Sequence, residues 1–204
     1  MKLTINYGKK DKIHILIDGD YQTTVDALYW GTCGYKDGDE LSEREVSDFL
    51  RQANTRRAFN KAAGLLSYQD RTRKQLVDRL REDYGEDAAV AAVDRLEELH
   101  LVDDERYAES YAAELMRRKK MAPARICREL ARRGIDRETA EFTVEALDFD
   151  AQTCIIELLQ TKYRGKFSDE KGLRRTIAAL QRLGYGYGDI RSALRILDED
   201  SEDY

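Results

Sequence analysis

Along residues 103–135 the apolar positions keep a helical period. Tyr107, Ala108, Tyr111, Ala112, Leu115 and Met116 fall three and four apart, on one face of an α-helix. Asp103 or Asp104 would cap its start, and Arg117, Arg118, Lys119 and Lys120 suit the negative end of its dipole. Met121 and Ala122 interrupt the pattern. Pro123 then opens a second helix, where its missing N–H costs nothing, with Ile126, Cys127 and Leu130 inward and Gly134 ending it. The pattern predicts a helix–turn–helix with an apolar seam and a cationic exterior. Eight cations lie between Arg117 and Arg133, against the single acid Glu129.

Residues 1–54 follow a different period. LTINY and KIHILID are rich in β-branched residues and flank Gly8-Lys9-Lys10-Asp11, which predicts a β-hairpin. Asp18-Gly19 reads as a turn into YQTTVDALYW, a segment that suits strand, short helix or both. Gly31, Gly34 and Gly38 mark loop, and Ser42-x-x-Glu45 is a capping box opening a helix with Val46, Phe49 and Leu50 on one face. So short a segment makes a small α+β appendage with little core of its own.

From Thr55 onward the period is helical throughout, and it repeats. Leu80, Leu130 and Leu180 are evenly spaced, each near the end of an amphipathic segment, and Gly134 and Gly184 follow the second and third at the same offset. Tyr84-Gly85 holds that place in the first. Past the glycine, Ala140, Val144 and Leu147 match Ile190, Leu194 and Leu197. The spacing predicts helices over 55–66, 70–83 and 86–99, then 104–120, 123–133 and 137–147, then 150–163, 169–183 and 188–197. The expected fold is therefore mainly α: three tandem three-helix repeats at 55–102, 103–148 and 149–197, stacked into an elongated array. The α+β segment 1–54 precedes them and an acidic tail, 198–204, follows. A single irregular helical bundle is the competing architecture.

Composition sharpens this in one respect. The 204 residues carry a net charge of −5, yet residues 1–111 hold roughly −6, residues 112–197 roughly +6 and the tail roughly −5. A basic half in an acidic chain points to an anionic partner, and the tail is expected to screen the basic face when that partner is absent. Candidate contacts are Arg117, Arg118, Lys119, Lys120, Arg125, Arg128, Arg132 and Arg133 in the second repeat. Lys162, Arg164, Lys166, Arg174, Arg175 and Arg182 join them in the third. Arg125, Arg128 and Arg132 recur at helical spacing, so two adjacent elements present one sign of charge. A solvated helix end is the competing explanation for Arg117–Lys120.

The sequence gives no reason to expect catalysis. His14, in a predicted strand, and His100, in a loop, form no metal-ligand motif with Cys, Asp or Glu, and Asp103-Asp104 suits a cap better than a metal pair. LGYGYGD follows a predicted helix and lacks a following Lys-Ser/Thr, so it reads as a helix stop rather than a phosphate loop. No catalytic residue, cofactor or metal is expected. Cys33, Cys127 and Cys154 form no CxxC pair and read as reduced thiols in a cytoplasmic protein. No apolar run is long enough to cross a membrane, and the N-terminus lacks a signal-peptide core.

The motifs also resemble a known family. LEELHLVDDERYAESY (Leu96–Tyr111), APARICRELARRGI (Ala122–Ile135) and LQRLGYGYGDI (Leu180–Ile190) are similar to the signature segments of the RecX family. SYQDRTRKQLVDRL (Ser67–Leu80) is less similar, with Thr72, Arg73, Lys74, Gln75 and Leu76 where the family has Ser-Arg-x-Glu-Leu. The resemblance covers residues 58–197. It implies three three-helix repeats and a cytoplasmic regulator in DNA repair, homologous recombination and the SOS response. Such a protein binds RecA and the RecA–DNA filament, lodging in the filament groove and restraining ATPase, recombinase and coprotease activity. On that reading Tyr107, Ala108, Ile126, Leu130 and Gly134 are structural and the cations make contact. A monomer is expected. Direct DNA binding through the basic face of the second and third repeats is the alternative.

Overall fold

The computed structural model describes the backbone of residues 1–202 and the side chains of residues 1–198. The acidic tail expected at 198–204 therefore lies, beyond the Asp198 side chain and the last helical backbone, outside the described residues. The chain divides into two compact units, 1–103 and 104–204.

The first unit begins with an antiparallel meander: β1 (Leu3–Tyr7), β2 (Lys12–Ile17) and β3 (Asp20–Asp26), in that order. Leu3 pairs with Ile17, Ile5 with Ile15 and Ile13 with Val25, which puts these apolar side chains on one face, buried except for the partly covered Ile5. The turns fit their residues: Lys10 and Asp11, then Asp18 and Gly19, have positive φ, as tight hairpins require. YQTTVDALYW is both strand and helix, because Asp26 ends β3 and accepts from the Tyr29 N–H to start α1 (Ala27–Thr32). Tyr29, Trp30 and Tyr35 then surround Phe49 with ring centroids 5.6–6.4 Å apart.

That phenylalanine belongs to α2 (Glu43–Leu66), opened by the capping box Ser42/Glu45. The helix continues unbroken through positions 54 and 55, where the appendage was expected to end and the first repeat to begin. Its first half buries Val46, Phe49 and Ala53 against the sheet; its second buries Ala58 and Ala62 against α3 (Arg73–Tyr84) and α4 (Glu86–Glu98). Residues 43–66 lack proline and carry a glycine only in the last turn, so nothing in the sequence stops the helix between the two cores. Thr72 and Gln75 form a second capping box at α3, so this divergent motif still starts its helix in the usual way.

The second unit holds two trios: α5 (Asp104–Lys119), α6 (Pro123–Arg132) and α7 (Arg137–Glu145), then α8 (Ala151–Gln160), α9 (Glu170–Arg182) and α10 (Tyr187–Glu202). Leu80, Leu130 and Leu180 are each 0 % exposed, so the spaced leucines occupy equivalent core positions. Gly134 and Gly184 have φ near +92 and +100, and each is followed by a buried residue, Ile135 or Tyr185, whose N–H returns to that leucine's carbonyl. The trios also interlock. Ala122, in the turn before α6, is buried in the core of the third repeat, and its N–H donates to the Leu183 carbonyl at 2.9 Å. The Tyr185 hydroxyl donates to the Lys120 carbonyl at 2.6 Å.

A methyl group tests this contact. At Gly184 an added Cβ would lie 2.8 Å from the Arg125 Cβ at a positive φ, whereas at Gly64 in α2 it would meet nothing within 4 Å. Gly184→Ala should cost about 1–3 kcal/mol in urea unfolding, and Gly64→Ala should gain about 0.5–1 kcal/mol. Equal effects would contradict this packing.

Candidate interaction surface

The fourteen candidate cations separate by what surrounds them. At the end of α5, Arg117, Arg118 and Lys119 are exposed, and only Arg118 meets a carboxylate among the described residues, Glu114 at 3.0 Å. Arg128 and Arg132 stand one turn apart on the outer face of α6, opposite the buried Ile126 and Leu130. Arg128 donates to the Ala124 carbonyl and Arg132 reaches Glu129 at 3.2 Å. The Arg118–Glu114 pair is exposed on both sides and worth little, whereas Glu129 is largely covered and shared between Arg132 and Arg125.

Lys120, Arg125 and Arg133 are half-buried and engaged within the fold. Lys120 bonds Glu157 of α8 at 2.7 Å, and that hydrogen bond raises the ammonium's pKa above its ordinary value. Arg125 bonds Glu129 at 2.6 Å, with both side chains largely covered. It therefore departs from the face shared by Arg128 and Arg132: it lies against the Gly184 turn. Arg133 lies 4.0 Å from the Tyr111 ring centroid and donates to the Tyr107 hydroxyl at 2.6 Å. The third-repeat cations Lys162, Arg164, Lys166, Arg174, Arg175 and Arg182 are all exposed. Of these, Arg174 pairs with Glu170, while Lys166 and Arg175 border one cavity.

Sequence reasoning missed two features. In the first unit, a groove of about 790 Å³ runs between α2 and α4 beside Tyr29, lined by Arg51, Arg56, Phe59, Ala92 and Arg95. Each arginine there meets a carboxylate: Asp48, Asp26 and Glu98 respectively. Ala91 and Ala92 of α4 line this groove, and small side chains in a helix carry no sequence signal for a cleft. The second feature is Tyr185, whose hydroxyl is pushed up in pKa by burial while it ties the third repeat to Lys120. Among the described residues no three His, Cys, Asp or Glu side chains converge as a metal site would require, and no helix is long and apolar enough to cross a membrane.

Comparison with known proteins adds the following. Family models of RecX match twice: its first three-helix domain over residues 58–96 and its second over residues 103–142. A "Regulatory protein RecX" of Caldanaerobacter subterraneus subsp. tengcongensis is 32% identical over 144 residues, covering 70% of this chain and 73% of that protein. The one from Bacillus velezensis is 28% identical over 208 residues, covering 99% of this chain and 78% of its own. A crystal structure of a regulatory protein RecX superposes with a TM-score of 0.68 at 21% identity, over 95% of this chain and 98% of that one, which establishes the likeness of fold.

The two classes of arginine differ in what their loss should do. Arg133→Gln removes a stacked, hydrogen-bonded cation and should cost about 1–3 kcal/mol of stability. Arg128→Gln should leave stability within about 0.5 kcal/mol. Urea titrations of both variants check this, and equal costs would show that the two side chains are not differently employed.

Proposed function

Because the chain belongs to the RecX family, we propose that it binds RecA and the RecA–DNA filament in the cytoplasm and restrains RecA's ATPase, recombinase and coprotease activities without catalysing a reaction itself. The observation that carries this reading is the exposed cationic exterior of the second repeat, Arg117, Arg118, Lys119, Arg128 and Arg132, set on a trio whose inward face is wholly structural. Cations on rigid helix positions offer charge to an acidic partner surface and set orientation and encounter rate. The third repeat adds exposed cations of its own, so contacts to neighbouring subunits of a polymer sum without any one being strong. A protein that binds one filament state better than another shifts the balance between them by linkage alone.

The supporting measurement is the DNA-stimulated ATPase rate of RecA titrated with the full chain at substoichiometric amounts. The wild-type chain lowers that rate. The variant Arg117→Glu, Arg118→Glu, Arg128→Glu, Arg132→Glu keeps its helix content by circular dichroism and needs at least about tenfold more protein for the same inhibition, as loss of roughly 1.4 kcal/mol of binding would give. Undiminished inhibition by the folded variant would contradict the placement of the surface. No effect of the wild-type chain on RecA would contradict the function.

A further inference from the structure

The groove of the first unit is walled by one stripe from each of two helices. Thr55 and Phe59 stand one turn apart on α2, and Asp87, Ala91 and Arg95 recur at the same interval on α4. Phe59, Ala91 and Ala92 make its walls apolar, while three arginines, Arg51, Arg56 and Arg95, face the single acid Asp87. Arg56 is engaged in the fold, over the Tyr29 ring and bonded to Asp26. Arg51 and Arg95 pair with Asp48 and Glu98 of their own helices, and both pairs are exposed on both sides and worth little. An apolar cleft of about 790 Å³ with a cationic rim fits an apolar anchor carried among carboxylates on a helix.

The chain itself carries such an anchor, on α7. Of the five phenylalanines Phe142 alone is exposed, at 72 %. Its helix buries Ala140 and Thr143 on the opposite side. Glu138, Glu141 and Glu145 stand four before, one before and three after Phe142, and all three are exposed. At 3.6 residues per turn these four side chains fall within about 100° of the helix circumference. Glu141 pairs with Arg137 at 2.6 Å, whereas Glu138 and Glu145 meet no cation at ion-pair distance among the described residues. A single exposed apolar side chain is ordinary. This one sits on a carboxylate-lined stripe whose charge is opposite to that of the groove's rim.

We infer that the groove between α2 and α4 receives α7 of a second copy of this chain, with Phe142 in the apolar cleft and the glutamates beside the rim arginines. Each copy carries one anchor and one groove, so copies pair reciprocally or add head to tail. One aromatic anchor with a few exposed ion pairs makes a small interface, and the association is weak, with a Kd on the order of tens of micromolar. This departs from the monomer expected from the sequence. It stands apart from the RecA reading: neither surface includes a cation that the proposed function uses, and the contact requires no RecA.

The test is sedimentation equilibrium of the full chain from about 2 to 200 µM, a range that spans this Kd. The weight-average mass of the wild-type chain should rise above the monomer's with concentration. Phe142→Ser removes the anchor and Ala91→Trp fills the groove; both positions are exposed, so neither change disturbs a core. Each should weaken association at least about thirtyfold, as loss of a central anchor does. Glu138→Gln with Glu145→Gln should weaken it about two- to tenfold, as loss of exposed ion pairs does. An equimolar mixture of the Phe142→Ser and Ala91→Trp variants retains one intact groove and one intact anchor, and should form a complex of one chain of each. A wild-type chain that stays at the monomer mass throughout would overturn the proposal. So would undiminished association of either single variant, or a mixture no more associated than the two variants apart.

Discussion

Three short helices enclose too little apolar volume to be stable alone, and this shortage governs how the chain is built. In the first unit the remedy is one long helix: α2 lends its first half to the sheet and its second to α3 and α4. In the second unit the remedy is a turn. Ala122 leaves its own repeat to be buried in the next, and Tyr185 reaches back to the Lys120 carbonyl. Gly184 has no side chain because Arg125 and Ala122 occupy the space it would need. Packing at these seams joins what would otherwise be marginal trios.

The same economy decides which cations remain available. Helices this thin bury alanine and leucine inward and leave every charge on the outside, where packing between repeats claims some of them. Lys120, Arg125 and Arg133 each hold a carboxylate or aromatic partner within their unit. Arg117, Lys119 and Arg128 meet no carboxylate among the described residues, and neither do Lys166, Lys171 and Arg175 in the next repeat. A basic stretch is thus two populations: one fastens the fold, the other faces outward with charge unspent.

Much of the fold was legible because its signals are local. The spaced leucines, the capping boxes at Ser42 and Thr72, Pro123 at a helix start and Gly134 and Gly184 past helix ends set the element bounds within a few residues. The missed continuity of α2 has the same origin: a change from period two to period 3.6 marks an element boundary, but not which core a helix serves. The candidate surface was less legible. Arg125 has the same spacing as Arg128 and Arg132, and only the position of the Gly184 turn, about sixty residues on, removes it from their face.

The proposed function assigns the partner contact to the outward cations of the second unit and leaves the first unit as scaffold. Amide hydrogen exchange of the full chain, alone and with RecA assembled on single-stranded DNA, tests this directly. The account predicts new protection over residues 114–133 and 161–176 with residues 1–103 unchanged. Protection confined to residues 1–103, around the groove between α2 and α4, would contradict it.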